Sequence, residues 1–206
     1  MKILAVSDQV VGSIYSSRIR DQYGDVDMVL ACGDLPYYYL EFIVSMLNVP
    51  CFYVHGNHDQ PEHTADGRTV TEPGGWVNLD ERTVNCNGLF LGGLEGSMRY
   101  KPDVPFQYTE KEMALKVLRM TPSLLMNRLL QGRALDILIT HAPPLGIHDG
   151  EDWPHRGCKA FVDLMERYRP RYLFHGHKHI YKMDTWQTRY MDTEVINVYP
   201  YRVIEF

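Results

Sequence analysis

The chain has 206 residues, 45% of them hydrophobic, with a formal net charge of −5. That length and composition predict one compact domain over residues 1–206 with a sizeable core, and the acidic balance argues against a broad nucleic-acid footprint. Cys32, Cys51, Cys86 and Cys158 lie far apart with no CxxC, the opening MKILAVSD is too short for a signal peptide, and no apolar run approaches the ~18 residues of a membrane span; these features argue against a zinc ribbon or a membrane anchor and lead us to expect a cytoplasmic chain with reduced thiols.

Residues 2–7 read as a buried strand with Asp8 at its end. A short helix within 13–23 follows, closed by Gly24. Met28–Cys32 is a second buried strand that runs into Gly33-Asp34. Pro36 to Leu47 reads as a helix with its proline in the first turn, where a missing N–H costs least. Cys51–His55 is a third strand. Strand and helix in alternation signal parallel βαβ units, whose ligands gather at the carboxyl ends of the strands. Residues 60–78 break the rhythm and read as a loop over the site. Thr83–Gly96 reads as two antiparallel strands turning at Asn87-Gly88. Thr109 to about Leu130 is the longest helical stretch, opened by a Thr109/Glu112 capping box and broken or restarted at Pro122. Asp136–Thr140 is a strand, Gly157 to Tyr168 a helix before Pro170, and Tyr172–His175 another strand. From Tyr181 onward the alternating pattern predicts a closing β-meander.

Five polar motifs stand at the ends of these apolar runs: Ser7-Asp8, Gly33-Asp34, Gly56-Asn57-His58-Asp59, Thr140-His141 and Gly176-His177-Lys178-His179. Oxygen ligands mixed with imidazoles suit a pair of borderline divalent ions such as Mn²⁺, Fe²⁺ or Zn²⁺. Two such ions can clamp an in-line displacement at phosphorus. His177 and His179, two apart on a strand end, point to one face. By the same alternation His175 shares their face, but Gly176 can turn the chain, and His175 reads as a hydrogen-bonded strand histidine; His55, just before the Gly56 motif, reads as a core residue or a support behind the ligands.

On these motifs the chain resembles the calcineurin-like metallophosphoesterase family over nearly its whole length. The resemblance implies a four-layer α/β/β/α sandwich of two mixed β-sheets flanked by helices, with metals at one edge between the sheets. It implies two divalent ions as cofactors. Asp8, Asp34 and His179 would hold one; Asp34, Asn57, His141 and His177 would hold the other, with Asp34 as the bridge. His58 would act as general acid or contact the phosphate. Val10 stands where the family usually carries its first His, which leaves the first site one protein ligand short.

Three further residues are read as substrate contacts: Arg99 at the end of the glycine-rich hairpin, and His155 and Arg156 in the loop 146–157. That loop leaves the His141 strand end and leads to a helix whose N-terminus could face an anion. The reading is a metal-dependent phosphoesterase, and more narrowly a phosphodiesterase, acting on a small molecule. Its rivals are an inactive scaffold of the same fold, favoured by Val10, and a nuclease, disfavoured by the scattered Arg and Lys.

Overall fold

Two mixed sheets dominate the computed structural model, which describes residues 1–63, 67–180 and 185–205. In the first sheet the order is Tyr201–Glu205, Lys2–Val6, Met28–Ala31, Cys51–Tyr53 and Val77–Asn78. All neighbours there run parallel except Tyr201–Glu205, which is antiparallel to Lys2–Val6. In the second the order is Gln187–Tyr190, Thr193–Asn197, Tyr172–His175, Ile137–Thr140, Leu89–Leu94 and Thr83–Cys86. Its interior is parallel and both its edges antiparallel. The helices are α1 (Ile19–Tyr23), α2 (Tyr37–Leu47), α3 (Glu110–Gln131) and α4 (Lys159–Tyr168).

Side-chain alternation explains the layering. Ile3 and Ala5 point between the sheets, where they meet Leu30, Phe52, Leu91, Ile137, Ile139 and Phe174. Leu4 and Val6 point the other way, onto Ile19 of α1 and Tyr39, Leu40 and Ile43 of α2. In the second sheet Leu138 turns outward to Met113, Met120 and Leu124 of α3 and to Phe161 and Leu164 of α4. The result is the α/β/β/α sandwich. A strand buried on both faces needs no polar alternation, so KILAV, MVLA and ILIT read as unbroken apolar runs. A one-residue slip would exchange the two faces and misplace every strand end.

Several local expectations hold. Thr109 accepts from the Glu112 N–H while Glu112 accepts from the Thr109 N–H, which closes the capping box. Asn87 and Gly88 turn the hairpin with φ of 51° and 84°. The helix within 13–23 is limited to α1.

Others do not. Pro122 does not interrupt α3, which continues from Glu110 to Gln131. The N–H it lacks would have served the Leu118 carbonyl, so the helix gives up one backbone hydrogen bond there. Met113 and Met120 before the proline and Leu124 after it are fully buried and anchor both halves. The closing meander is split. Gln187–Tyr190 and Thr193–Asn197 form a hairpin in the second sheet, but Tyr201–Glu205 crosses to the first. There Ile204 packs on the inner layer and Tyr201 against the α1/α2 layer. Positions 181–184, with which the meander was expected to begin, lie outside the described residues. So do 64–66 of the expected loop 60–78; around them Glu62–His63 pairs with Thr69–Val70.

Candidate metal centre

The motifs gather where the carboxyl ends of both sheets meet. Close approach demands the glycines there. A Cβ on Gly56 would fall on the Asp34 carboxylate, and one on Gly176 would fall on the Ser7 hydroxyl and the Asp8 carboxylate. Asp8, Asp34 and His177 have φ of 62°, 56° and 66°, a left-handed backbone that costs a non-glycine residue roughly 1–2 kcal/mol. Reciprocal hydrogen bonds hold them there. Asp8 donates its N–H to the Gly33 carbonyl (3.1 Å) and accepts on its carboxylate from the His177 N–H (3.0 Å) and from the Ser7 hydroxyl. Asp34 accepts from the His58 N–H (2.8 Å). Asp59 accepts from the backbone N–H groups of Asp34, Leu35 and Gly56 at 2.8–3.2 Å, tying the two loops together. Three non-glycine residues in one disfavoured conformation at one place mark stored strain of the kind found at functional sites.

Asp34, His141 and His177 bring ligand atoms within 4.8 Å of one another. His141 Nε2 stands 3.3 Å from Asp34 Oδ2, 3.0 Å from Asn57 Oδ1 and 3.1 Å from His177 Nδ1. The other ring nitrogens fix the tautomers. His141 Nδ1 donates to the Cys32 carbonyl (2.7 Å) and His177 Nε2 to the Pro154 carbonyl (2.7 Å). Asn57 Nδ2 meets the Tyr100 hydroxyl at 3.1 Å, which aims Oδ1 at the cluster. In the neutral forms, therefore, two imidazole lone pairs, an amide oxygen and a carboxylate oxygen face one point. Such acceptors repel one another unless a cation stands among them. Without a metal a proton serves. Burial works against charge on His141, but Asp34 outweighs it and raises the His141 pKa to about 9. Burial, reinforced by the charge on His141, drives His177 down to about 3. Burial also opposes ionisation of Asp34, yet His141 overcomes it and brings the carboxyl down to about 2.

The other half is looser. His179 Nε2 is 4.0 Å from Asp8 Oδ1, and its side chain is 49% exposed. Its ring stacks on Tyr199 with centroids 4.1 Å apart, and the Tyr199 hydroxyl donates to Gln9 Oε1 (2.9 Å). Val10 packs on the apolar layer beneath α2. Burial raises the Asp8 pKa, and the Asp34 charge adds to the rise.

A model of the calcineurin-like phosphoesterases matches residues 1–181. The chain belongs to the calcineurin-like phosphoesterase family. The crystal structure of TT1561 of Thermus thermophilus superposes with a TM-score of 0.62 at 13% identity, covering 96% of this chain and 88% of that one. A second crystal structure reaches a TM-score of 0.68 at 15% identity, with coverage of 98% and 94%. Both share the fold. A Vps29 mutant from Entamoeba histolytica aligns at a TM-score of 0.45 and 12% identity over 96% and 73% of the two chains, too loosely to argue from. No curated protein sequence matches the chain.

Family members typically hold two divalent ions, and the donor set fits. Asp34, Asn57, His141 and His177 offer the mixed oxygen and nitrogen ligands that borderline divalent ions take. The backbone carbonyls behind both histidines are the usual outer partners of metal-binding imidazoles.

A cavity of about 600 Å³ opens over the cluster, bounded by Asp8, Asp34, His58, His155, Lys178 and His179 among others. His155 is at this rim, its Nδ1 bonded to Asp152 (2.6 Å). Arg99 and Arg156 are not brought to it. Arg99 forks onto Glu112 of α3 (2.9 and 3.0 Å) and donates to the Gln107 carbonyl. Arg156 lies over the Trp153 ring. Nor does α4 offer its N-terminus to an anion. It starts at Lys159, and Glu110 accepts from the N–H groups of Lys159 and Ala160 (3.1 and 2.6 Å). His55 and His175 are, as expected, hydrogen-bonded behind the site: His55 to Glu95 (3.1 Å) and His175 to His148 (3.0 Å). Sequence reading missed Lys178, whose Nζ donates to the Asp149 carbonyl (2.6 Å), and also Tyr199; Asp152 lies in the loop 146–157 already read as part of the site's surroundings. The only signal for Lys178 was its place between two candidate ligands.

Proposed function

We propose that this chain is a metal-dependent phosphodiesterase that hydrolyses a small molecule. The buried knot of facing lone pairs at Asn57, His141 and His177 carries the reading. In it Asp34, Asn57, His141 and His177 hold one ion and Asp8, Asp34 and His179 the other, with Mn²⁺, Fe²⁺ or Zn²⁺ as candidates. Divalent cations in such sites draw charge from phosphate oxygens and make water a stronger acid. Asp34, shared by both ions, would offset the repulsion between them. His58 protonates the departing oxygen, a contribution of roughly 10²–10⁴-fold.

Support for a diester over a monoester comes from the shape around the cluster. A second cavity of about 320 Å³, walled by Leu35, Pro36, Tyr37 and Pro61, shares Asp34 and His58 with the first. A phosphate at the cluster thus has room for an arm on either side. His155, held by Asp152, and Lys178 meet the arm in the larger cavity. No helix among the described residues is long and apolar enough to cross a membrane. With its four cysteines unpaired, the protein suits the cytoplasm.

The scaffold reading retains one observation, Val10 in the apolar layer. Turnover decides between them. Chelated protein reloaded with Mn²⁺, Fe²⁺ or Zn²⁺ should cleave bis-p-nitrophenyl phosphate faster than p-nitrophenyl phosphate. Metal-loaded protein that cleaves neither would be a scaffold. His58→Asn should slow a diester with a poor leaving group about 10²-fold or more while sparing p-nitrophenolate release, because p-nitrophenolate departs with little need of a proton. Equal losses on both would make His58 a phosphate ligand instead.

A further inference from the structure

Helix α3 is apolar on two faces, and only one is used. Its inner face buries Met113, Met120 and Leu124 against the second sheet. Its outer face carries Leu115, Leu118, Leu125, Met126, Leu129 and Leu130, each between 44% and 80% exposed. Among the described residues fourteen large hydrophobic side chains are exposed, and these six of them share one helix. Single exposed leucines need no explanation; a contiguous stripe does.

The spacing of the stripe says what covers it. Leu115, Leu118, Pro122, Leu125 and Leu129 follow one another at intervals of three, four, three and four. That is the a/d repeat of a helix that packs lengthwise against another helix. We propose that a second copy of this chain covers it, through an antiparallel α3–α3 contact about a two-fold axis. In a two-fold contact the same patch serves both copies, so the seam must complement itself. It does: in antiparallel register Leu118 meets Leu129 of the second copy, and Pro122 meets its Leu125. The helix macrodipoles then oppose, which is their favourable arrangement.

In that register the two helices overlap over residues 116–131, about 24 Å at 1.5 Å per residue. Charge agrees. Arg119, beside the seam, is neutralised by Glu81 of its own chain at 3.1 Å, which lessens repulsion between copies. An anionic membrane fits less well, because the chain carries a net charge of −5.

Sedimentation velocity and light scattering on the full chain, between about 5 and 100 µM, test this inference without reference to the metal centre. Wild type should sediment at twice its 23.9 kDa chain mass. Leu118→Glu/Leu129→Glu should return it to one chain mass with unchanged circular dichroism and unchanged metal content. Met191→Glu, which removes an exposed apolar side chain elsewhere, should stay dimeric. A wild type that is monomeric at 100 µM overturns the proposal. So does a dimer that survives both glutamates, or a monomer that co-sediments with phosphatidylserine vesicles only while Leu118 and Leu129 are intact. Should the double variant misfold, Leu118→Gln/Leu129→Gln gives the same reading with a milder change.

Discussion

Asn57, His141 and His177 are each gripped from behind, whereas His179 rests on a stacked tyrosine at the surface. The first three take hydrogen bonds from or give them to Tyr100, the Cys32 carbonyl and the Pro154 carbonyl. Behind Asn57 stands a further brace. Lys116 of α3, 5% exposed, pairs with Asp80 (2.7 Å) and Glu95 (3.3 Å), and Glu95 holds both His55 and the Tyr108 hydroxyl (2.5 Å). Among the described residues His179 has no comparable frame, and Val10 offers no ligand beside it. Ligands fixed in place lose little freedom on binding a metal, whereas an exposed imidazole must be ordered at that moment. A difference in framework thus becomes a difference in affinity between two proposed sites that share Asp34.

The largest expected effect comes from removing what the halves share. Asp34→Asn takes away a carboxylate whose pKa is held near 2 and which neutralises the buried cluster. We expect loss of at least one ion and a fall in diester turnover of roughly 10²–10³-fold or more. Circular dichroism should be unchanged, because the Met28–Ala31 strand is intact. Asp27→Asn, which alters the other end of that strand, is the control and should do little.

Glu95→Gln separates the halves. Burial opposes ionisation of Glu95, but His55, Tyr108 and Lys116 bring its pKa down to about 2 from an ordinary 4.5. A depressed carboxyl contributes stability that is complete above 4.5 and is lost as pH falls toward 2. Glu95→Gln should therefore cost about 2–4 kcal/mol near neutral pH and flatten the acid limb of the stability curve. It should weaken the Asn57 half's ion, about tenfold, and spare the His179 half. A thermal melt series from pH 2 to 7 with metal titrations checks both; an unaltered acid limb would show that the brace carries no linkage.

The smallest effect belongs to the exposed side. Tyr199→Ala removes the ring beneath His179. It should weaken only the looser ion, by up to about tenfold, and lower the melting temperature little. Equal weakening of both ions would mean that the halves are not independent.

Much of this was legible in the sequence because it depends on local pattern. Apolar runs ending in Gly-Asp or Gly-Asn-His announce strand ends, and Thr109/Glu112 and Asn87-Gly88 announce a cap and a turn. What escaped depends on tertiary pairing. Arg99 was read as a phosphate contact, but Glu112 lies within its reach once the hairpin end folds against α3. The N-terminus of α4 looked open until Glu110, 49 residues earlier in the chain, filled it. Pro122 looked like a break because sequence does not show that buried methionines and a leucine clamp the helix on both sides. Lys178 carried no periodic signal and reaches the rim beside His177, whereas the folding of loop 146–157 onto His177 brings Asp152 there.

The unequal grip on two ions is tested most directly by titrating chelated protein with Mn²⁺ or Zn²⁺ in a calorimeter, with metal content measured at each plateau. The account predicts two steps, one ion per chain bound at least about tenfold more tightly than the second. Two ions of equal affinity, or no ion at all, would contradict it.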